Sequence, residues 1–181
     1  MTTTEPLITA EYLLRTPGLG RCELVRGELI MMSPAGAEHG LIIFRIGGPL
    51  WTYVSRTGLG EVFGAETGFH IAHDPDTVRA PDVAFVALDR LPSPPPRGFF
   101  PGPPDLAVEV ISPDDRQSEV LAKVQDWLDA GCRVVWLVDP RRQTVSVYQG
   151  GGEAQVLGLS DTLVGGPLLP GFSLAVAEIF K

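Results

Sequence analysis

The only lysine inside the chain, Lys123, stands fourteen residues after Glu109, and both lie downstream of an Arg-Ala-Pro-Asp segment that ends at Asp82. Apart from the terminal Lys181, the twelve other basic residues are all arginine. Arginine is a planar, permanently charged fork, whereas lysine is a compact point charge whose pKa responds to its surroundings. One retained ammonium near two acids singles out these three positions. Asp82 opens the apolar run Asp82-Val83-Ala84-Phe85-Val86, and Glu109 lies between Val108 and Val110. A carboxylate in such a run needs an opposite charge, several hydrogen-bond donors or a metal ion to offset its desolvation. A divalent cation held by both acids would keep them ionised, lower the pKa of a bound water and polarise a phosphoryl oxygen. The residues alone leave a second reading open, in which Asp82 caps a turn after Pro81 and Glu109 pairs with an arginine such as Arg79.

The elements that would position these groups follow from hydrophobic spacing. Residues 105–111 and 133–138 are apolar runs of strand length on either side of a helical stretch, the order of a strand, crossover helix and parallel strand. On a helix over residues 115–129, Val120, Leu121, Val124, Trp127 and Leu128 share one apolar face, with Lys123 at its border. From there the ammonium either reaches the strand ends or snorkels into water while its stem covers apolar surface. If it reaches the acids, removing its charge is expected to leave folding nearly unchanged.

Upstream, residues 9–15 make a short helix stopped by Pro17-Gly18, and strands at 22–25 and 28–32 flank a glycine turn. Residues 36–55 carry helical spacing, but Gly47-Gly48-Pro49 predicts a kink or break near residue 47. Strands are expected over 61–72 and 82–88, and the proline-rich passage 92–104 reads as an extended surface loop. Beyond residue 139, strands at 144–148 and 154–159 are expected to form an antiparallel hairpin.

With 181 residues, 44% of them hydrophobic, the chain has the size of a single domain spanning residues 1–181. Met1 to Pro6 show no signal-like pattern and no run approaches a bilayer span, so a soluble, cytoplasmic protein with no membrane contact is expected. Cys22 and Cys132 lack metal-ligand spacing and suit a reducing compartment. A net charge of -8 argues against tight nonspecific DNA binding, yet it is compatible with a divalent-cation site. His70-Ile71-Ala72-His73-Asp74 superficially suggests a metal site; read as a strand it sends the two histidines to opposite faces, so it is set aside.

The ordered set Arg79-Ala80-Pro81-Asp82-Val83, Pro104 through Pro113, Lys123 and Gly131 through Pro140 resembles the Uma-two family of putative restriction endonucleases. Gly27-Glu28-Leu29, Met32-Ser33-Pro34 and His39 extend the likeness toward the N-terminus. The resemblance implies an α/β, restriction-endonuclease-like mixed sheet flanked by helices, here with an added N-terminal hairpin and C-terminal strands. It also implies metal-dependent hydrolysis of DNA phosphodiesters with Mg2+ or Mn2+. Carried over, Asp82 and Glu109 become metal ligands with the Val110 carbonyl a third, while His39 and Glu28 become lesser candidates for the site. The superfamily lysine would stand at position 111, which is Ile111 here, and the resemblance assigns its role to Lys123. A homodimer is the superfamily habit. Two rival functions remain, a noncatalytic assembly module that keeps the fold and a hydrolase of a small phosphate ester.

Overall fold

The computed structural model describes residues 7–181; Met1 to Pro6, where the sequence shows no signal-like pattern, lie outside the described residues. In chain order the elements are α1 (Ala10–Arg15), β1 (Cys22–Val25), β2 (Glu28–Met31), α2 (Ala37–Thr57), β3 (Gly60–Gly64), β4 (Phe69–Ala72), β5 (Thr77–Arg79) and β6 (Val83–Ala87). They continue with β7 (Phe100–Pro101), β8 (Leu106–Val110), α3 (Gln117–Asp129), β9 (Val134–Asp139), β10 (Thr144–Gln149), β11 (Gln155–Leu157), β12 (Thr162–Val164), β13 (Ser173–Ala175) and α4 (Val176–Phe180).

A six-stranded mixed sheet in the order β11-β10-β9-β8-β6-β3 forms the centre. β8 and β9 run parallel with α3 as their crossover, as the apolar runs predicted, and the other neighbours in this sheet are antiparallel. Because side chains alternate across a strand, one face of the sheet carries Val83, Phe85, Leu106, Val108 and Trp136 into a core beneath α2. The other face carries Ala84, Val86, Ala107, Val135 and Leu137, which pack against Val124 and Trp127 of α3. A second sheet, β2-β1-β5-β4-β7, is closed at one side by α1 and joins the α3 layer through Phe69 and Phe100.

Several expectations change. The break near residue 47 does not occur: α2 runs unbroken from Ala37 to Thr57 with Pro49 inside it. The helix holds because Ile42, Ile46, Leu50 and Val54 are all buried against the sheet, and that packing outweighs one missing hydrogen bond. Gly47 sits where an added Cβ would come 3.3 Å from Val83, so its small size suits a close approach of helix to sheet. The stretch 61–72 is two strands in different sheets, β3 and β4, separated by a turn in which Glu66 takes a positive φ. On α3, Leu121 is exposed instead of sharing the buried face. The proline-rich passage is loop as expected, except that Phe100–Pro101 adds a two-residue edge strand parallel to β4.

Past the β10–β11 hairpin, the short pair β12–β13 and α4 bring Leu163, Leu169, Phe172, Val176 and Ile179 into the α2-side core. Among the described residues, no helix is long and apolar enough to cross a membrane.

Pro49 lies on the exposed side of α2. Pro49→Ala restores a backbone donor and is expected to raise stability by about 1 to 3 kcal/mol, below the full helix penalty because proline also stiffens the unfolded chain. Urea denaturation checks this; an unchanged or lower midpoint would mean that the helix accommodates the ring without strain.

Candidate active site

The antiparallel register Val83↔Val108, continued by one residue, sets Asp82 beside Glu109 at the end of β8. Both strands alternate, so the two acids share the α3 face of the sheet with Ala84 and Ala107. Asp82 is held by the backbone as well as by position. Its amide donates to the Val108 carbonyl at 3.0 Å, and its Oδ2 accepts from the Val110 amide at 2.8 Å.

Glu109 is buried against α3, and both of its oxygens are engaged. The Trp127 indole N–H donates to Oε1 at 2.7 Å, and Lys123 Nζ lies 2.9 Å from Oε2. Trp127 and Lys123 are four residues apart, one helical turn, so a single face of α3 delivers both donors. The arginine pairing of Glu109 does not form: Arg79 instead pairs with Glu23, at 2.7 Å, and with Asp126. Lys123 does not snorkel, because its ammonium also meets Glu23 Oε1 at 2.9 Å and the Ala80 carbonyl at 3.2 Å.

Glu23 is the residue that sequence reasoning missed. It is only 3% exposed and binds Lys123, Arg79 and the Ala80 amide. The available signal was the alternation of Cys22-Glu23-Leu24-Val25, which puts an acid on a strand whose next residue, Leu24, is fully buried. Glu28, which the resemblance made a lesser candidate, does not join the site. It lies exposed on β2 opposite Val25, whereas Glu23 on the inner strand β1 faces the cavity.

His39, in the first turn of α2, is buried and reaches the same place. Its Nε2 lies 2.9 Å from the Val110 carbonyl and 3.5 Å from Asp82 Oδ2. Nδ1 of the same ring is the sole buried side-chain polar atom among the described residues without a hydrogen-bond partner. Glu23, His39, Asp82, Glu109, Val110 and Lys123 all border one cavity of about 370 Å3.

Burial governs the electrostatics. It pushes the Glu109 carboxyl up to about 7, against the pull of Lys123 and with added repulsion from Asp82 and Glu23. Asp82 is also raised by burial, partly offset by His39 and the Val110 amide. Burial acts on Glu23 in the same sense, but Lys123 and Arg79 outweigh it and hold that carboxyl below its usual value. Lys123 is desolvated too, yet its two carboxylate neighbours keep it charged and raise its pKa.

His70 and His73, set aside from sequence, fall elsewhere and on one side of the chain. β4 ends at Ala72, so His73 belongs to the turn and its ring folds back onto His70.

The Uma2 family, described as "Putative restriction endonuclease", matches residues 9–177. This chain belongs to that family. Its fold is that of a crystal structure of a "putative nuclease belonging to DUF820" from Anabaena variabilis, with a TM-score of 0.84 and 23% sequence identity. The match covers 96% of this chain and 97% of that one. No curated protein matches the sequence.

Because Glu23 offsets two cations in the interior, Glu23→Gln leaves Arg79 and Lys123 short of negative charge without changing side-chain volume. Loss of one partner from such a buried network is expected to lower stability by about 3 to 5 kcal/mol. Chemical denaturation of the variant measures it, and a loss below about 1 kcal/mol, typical of an exposed pair, would mean that water screens the cluster.

Proposed function

We propose that this protein is a metal-dependent endonuclease that hydrolyses DNA phosphodiester bonds, with Asp82, Glu109 and Lys123 as its catalytic set. The observation that carries the proposal is the ammonium of Lys123 set 2.9 Å from Glu109, on the sheet face that Asp82 also occupies. Family membership supports the reaction class.

The residues present fit a hard divalent cation. Two buried carboxylates whose charged forms are disfavoured, beside a backbone carbonyl, are an oxygen-donor set of the kind that Mg2+ or Mn2+ takes. Asp82, Glu109 and the Val110 carbonyl would hold the ion, which when bound would acidify a water and withdraw charge from the phosphoryl group. The chain's own groups do the rest. Trp127 fixes the Glu109 carboxylate from behind, and the Val110 amide fixes Asp82, so neither acid must reorganise. Lys123 contributes a permanent positive charge beside the place where negative charge develops, on the attacking hydroxide or the five-coordinate phosphate. His39 orients the Val110 carbonyl through Nε2 and is a positioning residue in this reading.

A second reading has its own support. Lys123 is already bound to two carboxylates and a carbonyl, which is how a purely structural ammonium would look. On that reading the chain is a noncatalytic assembly module. A hydrolase of small phosphate esters would share the metal site and leave DNA intact. For the active protein we also propose a homodimer, which would offer two sites to two strands. The exposed Leu41, Phe44 and Trp51 on α2 and the exposed Val156 on edge strand β11 are surfaces suited to a second copy. Light scattering at micromolar concentration showing only monomer would remove the dimer.

A plasmid-nicking assay in manganese separates the readings. The parent is expected to nick and Asp82→Ala to be inert; Lys123→Met is expected to lose about 10²-fold or more, the effect of deleting one preorganised charge. Lys123→Arg should rescue poorly, since a planar fork does not replace a point charge at fixed depth. The contact with Glu23 revises the expectation that folding survives Lys123→Met unchanged, so the assay belongs well below that variant's melting temperature. A parent that binds no metal and cuts nothing would establish the module, and one that binds metal and cleaves only small esters would establish the third reading.

The pH dependence has a definite sign. With Glu109 titrating at about 7, its proton is bound below that pH and must leave before the carboxylate can take a cation. Manganese affinity measured by calorimetry is therefore expected to fall by up to about tenfold per pH unit below pH 7 and to level off above it. A flat profile from pH 5.5 to 8 would contradict the role given to Glu109.

A further inference from the structure

Two of the chain's three histidines meet at the turn between β4 and β5, away from the acids of the candidate active site. His70 Nε2 lies 3.0 Å from Asp76 Oδ1, and His73 Nδ1 lies 3.7 Å from the same oxygen. The two imidazole rings are 4.0 Å apart between centroids, and one donor atom from each of the three side chains falls within a common 4.8 Å. An Asp–His hydrogen bond alone would need only His70. The His73 side chain, 73% exposed, is free to extend into water, yet it turns its ring onto the same carboxylate.

We propose that His70, His73 and Asp76 form a second metal site that takes a divalent transition metal of the zinc class. Zinc binds imidazole nitrogen and carboxylate oxygen at about 2.0 to 2.2 Å in a tetrahedron, so its ligand atoms stand roughly 3.3 to 3.5 Å apart. The two separations observed, 3.0 and 3.7 Å, bracket that edge. Neutral imidazoles with the proton on the opposite ring nitrogen, Nδ1 for His70 and Nε2 for His73, free the two facing lone pairs for the ion. Two nitrogens and one oxygen favour zinc over magnesium, which takes oxygen ligands. This donor set therefore differs in kind from that of Asp82, Glu109 and Val110.

What the ion would tie together follows from the other contacts of Asp76. Its Oδ2 accepts from the Ala10 amide at the start of α1, at 2.7 Å, and its carbonyl accepts from the Gly27 amide of the β1–β2 turn, at 2.8 Å. A cation on Oδ1 thus joins the β4–β5 turn to α1 and to the N-terminal hairpin that carries Glu23. The fourth position, on the exposed side of His73, is left to water.

The test is calorimetric titration of tag-free, chelator-treated full-length chain with zinc chloride, repeated on Asp82→Ala, His73→Ala and His70→Gln. The expected result is one zinc bound per chain by Asp82→Ala and at least one by the parent, whose carboxylate site also takes the ion, with affinity at this site lowered at least about tenfold to 100-fold by either histidine change. Cobalt substitution should give the visible absorption of a tetrahedral site in Asp82→Ala and none in His73→Ala. Zinc should also raise the melting temperature of Asp82→Ala, and not of His73→Ala, whose metal-free melting temperature should match the parent's because the side chain is exposed. The proposal is overturned if His73→Ala and His70→Gln bind zinc as tightly as the parent. It is equally overturned if the parent binds none at micromolar zinc, or if zinc is lost from Asp82→Ala alone, which would assign the ion to the carboxylate site.

Discussion

One partly buried ammonium holds the candidate site together. Lys123 stands between Glu23 on β1 and Glu109 on β8, so a single charge joins the small sheet, the central sheet and α3. Each acid alone would be expensive to bury. Together, with Arg79 on Glu23 and Trp127 on Glu109, they form a network in which the ionised side-chain groups have partners. The compensation is uneven, and this matters chemically. Glu23 has two cations and stays well ionised, while Glu109 shares one and is pushed up to about 7. The acid left short of positive charge is the one that faces Asp82 across the β6–β8 register.

The parts of the fold that were legible in the sequence are those where one periodicity dominates. Leu106 to Val110 and Val134 to Val138 are buried on both faces, which makes them continuous apolar runs, and α3 between them fixes a parallel crossover. The hairpin of β1 and β2 announced itself through Arg26-Gly27, both at positive φ. β5, three residues long, carries no pattern that separates it from the turn before it. The C-terminal β12, β13 and α4 were equally hidden, because Gly165, Gly166, Pro167 and Pro170 fall among residues whose burial depends on where α2 lies.

The site was legible unevenly for a related reason. Asp82, Glu109 and Lys123 stand out as charges in apolar surroundings, a local signal. Glu23 sits in a strand with mixed neighbours, and its burial comes from Arg79 and Lys123, 56 and 100 residues away in sequence. No window of sequence contains that fact. Conversely, Glu28 drew notice from its place in Gly27-Glu28-Leu29, but β2 is the edge of its sheet, and there a charged side chain discourages further strand pairing. His73 was misjudged because a two-residue alternation was carried one position past the end of β4.

On the proposed reading, a lysine on the helix would stand in for one on the strand without changing where the charge arrives. Residues 107, 109 and 111 of a strand point to one face, and a lysine at 111 would have reached the cavity from the same side as Glu109. α3 covers that face, so an ammonium lowered from Lys123 meets the carboxylate from above, and Ile111 borders the cavity in place of the missing stem. The difference lies in what the charge depends on. A strand lysine would be fixed by the central sheet alone. Lys123 is held by Glu23 as well, so the position of the charge also depends on the pairing of β1 with β5 that places Glu23 against α3. In this chain the N-terminal sheet is therefore part of the candidate site, and whatever tightens the β4–β5 turn and its contacts with the hairpin bears on the position of that one ammonium.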